Sequence, residues 1–135
     1  MPGSGRWSLA YALERRLFDQ GRTAHVLEPV GESLSTMIAA ARACTEAGLV
    51  AICAFEGKTL AERAAARERI GKERFFEVFV DTKPEVCLER RPKADLSGFE
   101  PPKDAALRVS LDRMLVEPAV DQVLHMLTAA RQFEA

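Results

Sequence analysis

The first eight residues of the chain, MPGSGRWS, combine residue types from which phosphate-binding loops are built. In a loop of the form G-x-x-x-x-G-K-[ST], glycines let backbone N–H groups converge on phosphate oxygens at the start of a helix, whose dipole favours negative charge. The lysine reaches the terminal phosphates, and the Ser or Thr hydroxyl binds Mg²⁺. Here Gly3, Ser4 and Gly5 supply the turn, and Ser8 is expected to open the helix. The segment therefore predicts phosphate binding.

Two positions of this segment depart from that chemistry. Arg6 stands where the lysine is required, and its planar guanidinium pairs with phosphate at a different reach and geometry. Trp7 stands at the metal-ligand position and offers no oxygen. Ser8 lies about 100° further round a helix of 3.6 residues per turn, so it does not simply replace that oxygen. Taken alone, the segment is also consistent with a flexible amino terminus before a helix.

Other candidate groups follow predicted strands. Glu28 stands at a strand end, where acidic residues often coordinate Mg²⁺ through water, although a solvated turn residue is the alternative. Asp81 and Thr82 end another strand, and Thr82 is expected to cap the next helix. His25 and His125 have no Cys or acidic neighbours at ligand spacing, so no zinc site is predicted.

The elements that position these residues alternate along the chain. Apolar spacing predicts helices over 9–18, 34–47, 60–70, 84–90 and 118–131, and strands over 23–27, 49–55, 75–81 and 107–111. The run LVAICAF has no polar alternation, which indicates a strand covered on both faces and hence a parallel sheet. Prolines and a glycine make 92–103 a loop. The alternation of strand and helix predicts a doubly wound α/β domain with right-handed crossovers.

Length and composition are those of one ordinary globular domain covering residues 1–135. The chain is 47% hydrophobic and 29% charged, and its net charge of −1 provides no bulk field for nucleic acid or a membrane. Its three cysteines, Cys44, Cys53 and Cys87, form no C-x-x-C pair and sit in apolar stretches, so buried reduced thiols are expected. Neither a membrane span nor a secretory leader is apparent, which favours a cytoplasmic protein.

Further segments of the chain are similar to consecutive motifs of a single protein family. MPGSGRWSLA aligns with G-L-S-G-A-G-K-S-T-I-A if a glycine preceded Met1, and EAGLVAICAFEGKTLAERAAAR is similar to A-G-L-I-V-I-V-S-F-I-S-P-F-R-A-D-R. The most specific segment, FFEVFVDTKPEVCLERRPK, is similar to F-x-E-V-F-V-D-T-P-L-E-V-C-x-x-R-D-P-K. GFEPPKDAALRVSLD matches a later P-Y-E-x-P segment. With these motifs the chain resembles the adenylylsulfate kinases, P-loop enzymes that phosphorylate adenosine 5'-phosphosulfate with ATP in sulfate assimilation.

The resemblance implies a set of site residues and a cofactor. It implies nucleotide or phosphate binding by Gly3, Ser4, Gly5, Arg6 and Ser8, a substrate or metal side at Glu28, Phe55, Lys93 and Phe99, and ATP with Mg²⁺ as cofactor. No residue is assigned as catalytic and no residue as a metal ligand. Lys93 and Arg91 flank the loop and either steer a phosphosulfate or are solvated charges.

Several motifs of the family are altered in this chain. Residues 28–31 read Glu-Pro-Val-Gly where the family has D-G-D-N, and a following substrate segment is absent. Only Phe55 remains of F-I-S-P-F-R. Arg91 replaces the aspartate of D-P-K-G-L-Y, most of the lid beyond it is deleted, and Phe99 replaces a tyrosine. Since strands and apolar helix faces are retained while ligand loops are cut back, the pattern favours a degenerate site.

The resemblance also implies a fold with a specific defect. It implies a three-layer P-loop NTPase-like domain with a parallel sheet in the order 2-3-1-4-5, and the first strand is missing from this chain. Because that strand sits between the third and the fourth, its absence predicts a gap in mid-sheet. Three explanations stay open: upstream residues removed, a rearrangement that bridges the gap, or a second chain.

Three functions follow as alternatives. The first is a degenerate domain that serves as a nucleotide-sensing or structural part of a sulfate-activating enzyme, with an ATP sulfurylase domain or subunit as partner. The second is an active kinase acting on adenosine 5'-phosphosulfate, and the third is an interaction module with no nucleotide role. A nucleotide is the expected small-molecule partner, and a homo-oligomer without nucleic acid or membrane contacts is the expected state.

Overall fold

The structure is a computed structural model that describes residues 1–28, 33–112 and 115–130. In this part of the chain the helices are α1 (Arg6–Asp19), α2 (Leu34–Glu46), α3 (Leu60–Ile70), α4 (Pro84–Arg90) and α5 (Val116–Ala129). The strands are β1 (Ala24–Leu27), β2 (Val50–Cys53), β3 (Val78–Val80) and β4 (Leu107–Val109). Strands and helices therefore alternate as predicted, with the predicted bounds of α3 and α4. Residue 131, the predicted end of α5, and residues 29–31, aligned with the D-G-D-N motif, lie outside the described residues.

Helix starts follow the local chemistry of their caps. At α2 the Ser33 hydroxyl oxygen accepts the N–H of Thr36 at 3.3 Å, as its sequence position predicts. At α3 the side chains of Thr59 and Glu62 form a reciprocal capping box, which satisfies two N–H groups at once. Pro84 opens α4, where its missing N–H costs nothing.

The start of α1 differs from the predicted start at residue 9. The helix begins at Arg6 and not at residue 9, so Ser8 lies within its first turn instead of opening it. The cause is Gly5, which caps the helix with a φ of 97° and lets the chain pass directly from the glycine-rich turn into helix. Its buried residues Leu13 and Leu17 follow the predicted apolar face.

The four strands form two separate parallel pairs. β1 pairs with β2 from Ala24 opposite Val50 to Leu27 opposite Cys53. β3 pairs with β4 from Val78 opposite Leu107 to Val80 opposite Val109. No described strand joins the two pairs. The predicted gap in mid-sheet is thus confirmed.

Helices cover the two pairs as outer layers. α1 packs on α5, and α2 packs on α3 and on β2. The main apolar cluster joins α1 to α5 and β4 through buried side chains that include Leu17, Val109 and Val120. Among the residues that the structure describes, no helix combines the length and the apolar character that crossing a bilayer requires.

Between β2 and β3 lies a cavity of about 820 Å³, hereafter the central slot. Its edges are the two strands, and its walls come from α1 and α5 and from α2 and α3. Because this space stands open, β2 is not covered as its sequence predicts: Val50, Ala51 and Ile52 are half-buried and Cys53 is exposed. All four predicted strands are longer than the observed ones, since each observed strand pairs along a single edge only.

The three cysteines differ in how exposed they are. All three are free thiols, but only Cys87 is buried, while Cys44 is half-buried. The expectation of buried thiols is therefore wrong for Cys53, which lines the central slot. Surrounding protein atoms nevertheless raise the pKa of the Cys53 thiol to about 11, because they keep water from a thiolate.

Alkylation of Cys53 is expected to respond to pH in a distinctive way. With a pKa of about 11, the thiolate fraction at pH 7 is about one in ten thousand, so iodoacetamide reacts slowly although the residue is exposed. The rate should rise about tenfold per pH unit well beyond pH 9, as followed by mass spectrometry of the peptide containing Cys53. The urea-unfolded chain is the control, and a native rate that levels off near pH 8.5 would contradict the assignment.

Candidate functional site

The candidate site is built around residues 1–5, hereafter the glycine loop, which leads into the amino terminus of α1. The Ser4 N–H donates to the Met1 carbonyl at 3.2 Å and closes a tight turn. Gly3 and Gly5 both adopt the left-handed region, with φ of 76° and 97°. Glycine is favoured there because a side chain would meet its own backbone.

Gly3 is constrained by its neighbour as well as by its own backbone. A Cβ atom at this position would lie 2.5 Å from the Cys87 carbonyl oxygen, which belongs to the backbone of α4. At Gly5 the corresponding contact is 2.8 Å from Leu111 Cδ1, the end of a flexible side chain. The glycine loop can therefore lie against α4 only because residue 3 has no side chain.

Thr82 anchors the glycine loop from beneath. Its fully buried hydroxyl donates to the Ser4 carbonyl at 2.7 Å and accepts the Leu111 N–H at 3.3 Å. The expectation that Thr82 caps α4 is wrong: Lys83 occupies the cap position and no side chain caps the helix. Thr82 instead joins the end of β3 to the loop, because its hydroxyl finds two backbone partners in the interior.

Arg90 is a second anchor, and it was not among the predicted site residues. Its guanidinium donates to the carbonyls of Gly3 and Asp112, each at 3.1 Å, and also to that of Leu111. The Asp112 carboxylate in turn accepts the Lys83 N–H at 2.6 Å, and this hydrogen bond lowers the pKa of Asp112. The chain after β4 is thereby tied to α4 and to the glycine loop. The only sequence signal was a basic residue in the last turn of a short helix.

The hydrogen-bond donors at the start of α1 come mainly from the backbone. No side chain caps α1 and no acidic residue lies in its first turn, so its amino-terminal N–H groups and dipole are available to an anion. Ser4 is 1% exposed and lines the central slot, and its buried hydroxyl has no hydrogen-bond partner. These groups suit phosphate oxygens, which accept several N–H and O–H donors at once.

Arg6 is directed at backbone carbonyls. Its Nε donates to the Ala54 carbonyl at 3.1 Å, and one terminal nitrogen donates to that of Met1 at 2.8 Å. Its guanidinium also lies 5.9 Å from the centre of the Trp7 ring. Burial is the main reason that the pKa of Arg6 is lowered, and the charge of nearby Arg91 lowers it further. The arginine therefore acts here as a link between α1, the glycine loop and the end of β2.

The residues present do not fit a Mg²⁺ ion bound in the manner of a P-loop kinase. Trp7 supplies no oxygen, Glu28 accepts a hydrogen bond from the Tyr11 hydroxyl, and Asp81 is paired with Arg108. The bond to Glu28 also raises the pKa of Tyr11. Within the described ranges, no three His, Cys, Asp or Glu side chains are placed to hold a metal ion. Magnesium requires several hard oxygen ligands, and this edge of the sheet does not assemble them.

The remaining predicted residues are only partly brought together. Phe55 and Phe99 both line the central slot. Phe99 stacks on Phe79 with ring centres 5.9 Å apart and carries the Arg63 guanidinium 5.4 Å from its own centre. Lys93 is exposed and lines a separate small cavity beside α4, so the structure does not place it with the two aromatic residues.

Arg63 is another residue that the sequence did not single out. It holds the loop over residues 92–103 against α3. It donates to the carbonyls of Gly57 and Glu100, and its Nε lies 3.3 Å from a Glu77 carboxylate oxygen without being aligned for a hydrogen bond. The Glu100 N–H donates to the Lys58 carbonyl at 2.8 Å. The loop is thus fastened to the β2–α3 connection.

Comparison with known proteins gives consistent matches. A family model described as "Adenylylsulphate kinase" matches residues 31–98. The adenylyl-sulfate kinase of Enterobacter sp. (strain 638) is 36% identical over 110 residues, which cover 69% of this chain and 55% of that protein. The Escherichia coli (strain K12 / DH10B) adenylyl-sulfate kinase is 31% identical over 94% of this chain and 79% of its own length. The matched stretch thus spans only about half of the Enterobacter protein.

Solved structures show the same fold. A Mycobacterium tuberculosis APS kinase, solved in complex with AMPPNP and APS, superposes with a TM-score of 0.79 at 24% identity, covering 95% of this chain and 93% of its own. A hexameric APS kinase from Thiobacillus denitrificans superposes with a TM-score of 0.71 at 22% identity, covering 96% of this chain and 27% of its own. The α/β architecture with parallel strands is the one that these proteins have.

Proposed function

The chain belongs to the adenylyl-sulfate kinase family, and on that premise we propose that it is a nucleotide-binding, catalytically degenerate member that senses nucleotides or stabilises a sulfate-activating enzyme. The proposal rests on one observation: the candidate site keeps the backbone geometry of a phosphate-binding loop but lacks the side chains that kinase chemistry requires. The glycine loop and the start of α1 keep the geometry that receives phosphate, whereas the side chains that would act on it do not.

Phosphate binding is supported mainly by backbone groups, which do not depend on the identity of the side chains. Backbone N–H groups at the start of α1 and the partnerless Ser4 hydroxyl are held in place by Thr82 and Arg90 from outside the loop. An anion bound here would give the buried hydroxyl a partner and interact with the helix dipole. Such binding requires no metal.

Phosphoryl transfer is disfavoured for three reasons. The terminal phosphates lose their lysine, since Arg6 takes its place and donates to Ala54 and Met1. The metal loses its oxygen ligand at Trp7, and no acidic cluster among the described residues near the loop compensates. The shortened loop over residues 92–103, fastened by Arg63, also offers little chain that could close over a substrate.

We also propose a cellular compartment, a partner and an oligomeric state for the protein. We place it in the cytoplasm, in sulfate assimilation, with an ATP sulfurylase domain or subunit as partner. A homo-oligomer is the proposed state, supported by the hexameric APS kinase from Thiobacillus denitrificans that shares the fold. Residues 1–135 act in this proposal as a single domain.

Calorimetry and a coupled assay test the proposal together. Titration with ADP and with 3'-phosphoadenosine 5'-phosphosulfate should show binding whose affinity changes less than about twofold when EDTA replaces Mg²⁺. Turnover of ATP with adenosine 5'-phosphosulfate should be at least about a thousandfold below that of the Escherichia coli enzyme, the usual cost of losing transition-state charge stabilisation. Turnover near that enzyme's rate would contradict degeneracy, and absence of any nucleotide binding would favour an interaction module.

The double substitution Arg6→Lys with Trp7→Ser is expected to introduce metal dependence. A lysine and a hydroxyl would stand again where phosphate and Mg²⁺ are bound, so ADP affinity should become at least about tenfold higher with Mg²⁺ than with EDTA. The matched control is Arg15→Lys with Phe18→Ser, which makes a comparable exchange at exposed positions of α1. If both variants keep the metal-independent affinity of the parent chain, the loss of metal dependence does not lie at Arg6 and Trp7.

A further inference from the structure

A short basic segment follows α4 beside the glycine loop. Arg90, Arg91 and Lys93 fall within four positions, and all three are exposed. Together with Pro92 and Ala94 they line the small cavity of about 440 Å³ noted above, hereafter the basic cavity. A cavity of this volume has room for a phosphate group.

A tight turn holds two of these basic residues in the basic cavity. The Ala94 N–H donates to the Arg91 carbonyl at 3.0 Å and closes a turn of four residues. Pro92 is the second residue of this turn, where its fixed φ is favoured. Arg91 and Lys93 therefore flank a rigid position.

The end of α4 lies directly against the glycine loop. The Arg90 guanidinium donates to the Gly3 carbonyl at 3.1 Å. The Cys87 carbonyl oxygen accepts the Arg91 N–H at 2.8 Å, and this same oxygen would lie 2.5 Å from a Cβ atom at Gly3. A single carbonyl group thus separates the backbone of Arg91 from that of Gly3. Burial is the main cause that lowers the pKa of Arg6, and the charge of Arg91 lowers it further, so this charge acts across the loop.

Two of the three cations are available to an anion. Arg90 directs its guanidinium to backbone carbonyls, as described above. Over residues 1–28, 33–112 and 115–130, no carboxylate pairs with Arg91 or Lys93, and neither side chain makes a hydrogen bond. Uncompensated cations placed close together attract an anion and donate charge-assisted hydrogen bonds to it.

Arg91 also adds charge where the family motif has an aspartate. The exchange from aspartate to arginine takes the charge at this position from −1 to +1, a change of two units, which equals the charge of one Mg²⁺ ion. In phosphoryl chemistry the metal neutralises neighbouring phosphates, and a guanidinium binds the same oxygens through two parallel hydrogen bonds. The chain thus lacks a metal ligand at Trp7 and gains a cation on the α4 side of the glycine loop.

We propose that the basic cavity is a second phosphate subsite, in which Arg91 binds the outer phosphate of a diphosphate whose inner phosphate lies on the glycine loop. The subsite rests on the proposed function, because the glycine loop must bind the first phosphate. Its ligand class is a pair of adjacent phosphates, which a nucleoside diphosphate and inorganic pyrophosphate share. Arg91, with Lys93 beside it, supplies the positive charge that a metal ion would otherwise bring.

Calorimetry in EDTA tests the subsite, with inorganic pyrophosphate, inorganic phosphate and ADP as separate ligands. Arg91→Asp restores the residue of the family motif, and Arg91→Lys keeps the charge. Lys72→Asp is the matched control, since it makes the same change in net charge at another exposed residue. Lys72 precedes β3, whose carboxyl end meets the glycine loop through Thr82, so it lies at the opposite edge of the sheet.

Arg91→Asp should bind pyrophosphate at least about tenfold more weakly than the parent chain, which corresponds to the loss of a charge-assisted hydrogen bond. Its affinity for inorganic phosphate should change less than about threefold, because a single phosphate uses the glycine loop. Arg91→Lys and Lys72→Asp should keep the pyrophosphate affinity within about threefold. Unchanged pyrophosphate affinity in Arg91→Asp, an equal loss in Lys72→Asp, or no binding of pyrophosphate to the parent chain would overturn the subsite.

The measurements with ADP separate this result from the proposed function. If ADP binds the parent chain and Arg91→Asp equally well, the subsite is overturned and nucleotide binding stands. If pyrophosphate binding depends on Arg91 but ADP does not bind, the subsite stands and the proposed nucleotide function fails.

Discussion

Gly3→Ala is expected to destabilise the fold by roughly 3–4 kcal/mol, the largest effect of any single methyl group near the site. The φ of 76° costs a non-glycine residue about 1–2 kcal/mol. The new Cβ would also lie 2.5 Å from the Cys87 carbonyl oxygen, and neither partner is a flexible side chain that can turn away. The glycine loop or α4 would have to shift, at the usual cost of overpacking. Urea unfolding followed by circular dichroism measures the loss.

Gly21→Ala separates the two contributions to that loss. Gly21 has nearly the same φ, 78°, but nothing lies within 4 Å of the position that its new methyl group would take. This variant should therefore lose only about 1–2 kcal/mol, the conformational cost alone. Equal losses at both positions would show that Gly3 is required for its backbone angle and not for its approach to α4.

Thr82→Val is expected to cost roughly 2–4 kcal/mol while leaving the shape of the side chain almost unchanged. Its hydroxyl satisfies both the Ser4 carbonyl and the Leu111 N–H in a fully buried position. Valine leaves both backbone groups unpaired, and each buried group without a partner costs about 1–3 kcal/mol. The same variant should weaken phosphate or ADP binding, because the glycine loop loses its support. The unfolding free energy and calorimetry on the folded variant report the two effects.

Thr82→Ser is the matched variant for this position. It keeps the hydroxyl and removes one methyl group, so it should lose only about 1 kcal/mol and retain nucleotide affinity. If serine destabilises as strongly as valine, the role of Thr82 is packing and the hydrogen bonds to Ser4 and Leu111 contribute little.

The elements of this fold were largely predictable because their signals are local. Caps, apolar spacing and glycine stops lie within a few residues of the helices they define, and α3 and α4 have the predicted bounds. The lengths of the strands were less predictable. A strand extends only as far as its neighbours pair with it, and among the described strands β2 and β3 each have a single neighbour.

The left-handed conformations of Gly3 and Gly5 were predictable from the sequence, whereas the residues that anchor the glycine loop were not. Gly3 and Gly5 are marked by the chemistry of phosphate loops, which requires backbone conformations that other residues avoid. Thr82 and Arg90 act on the loop from almost eighty positions or more away. A threonine after a strand is equally consistent with a helix cap, and only the packed chain shows which backbone groups its hydroxyl reaches.

The sequence by itself determined the family and the alternation of strands and helices, because both depend on residue patterns that are read along the chain. The gap in mid-sheet was expected only from the strand order that the family resemblance implies. The tertiary structure decided which contacts the residues of the candidate site make, including those that differ from the family motifs. It directs Arg6 to the carbonyls of Ala54 and Met1, separates Lys93 from the aromatic pair of Phe79 and Phe99, and leaves the Ser4 hydroxyl without a partner. These outcomes depend on distances between remote segments, and those distances are set only when the layers pack around the central slot.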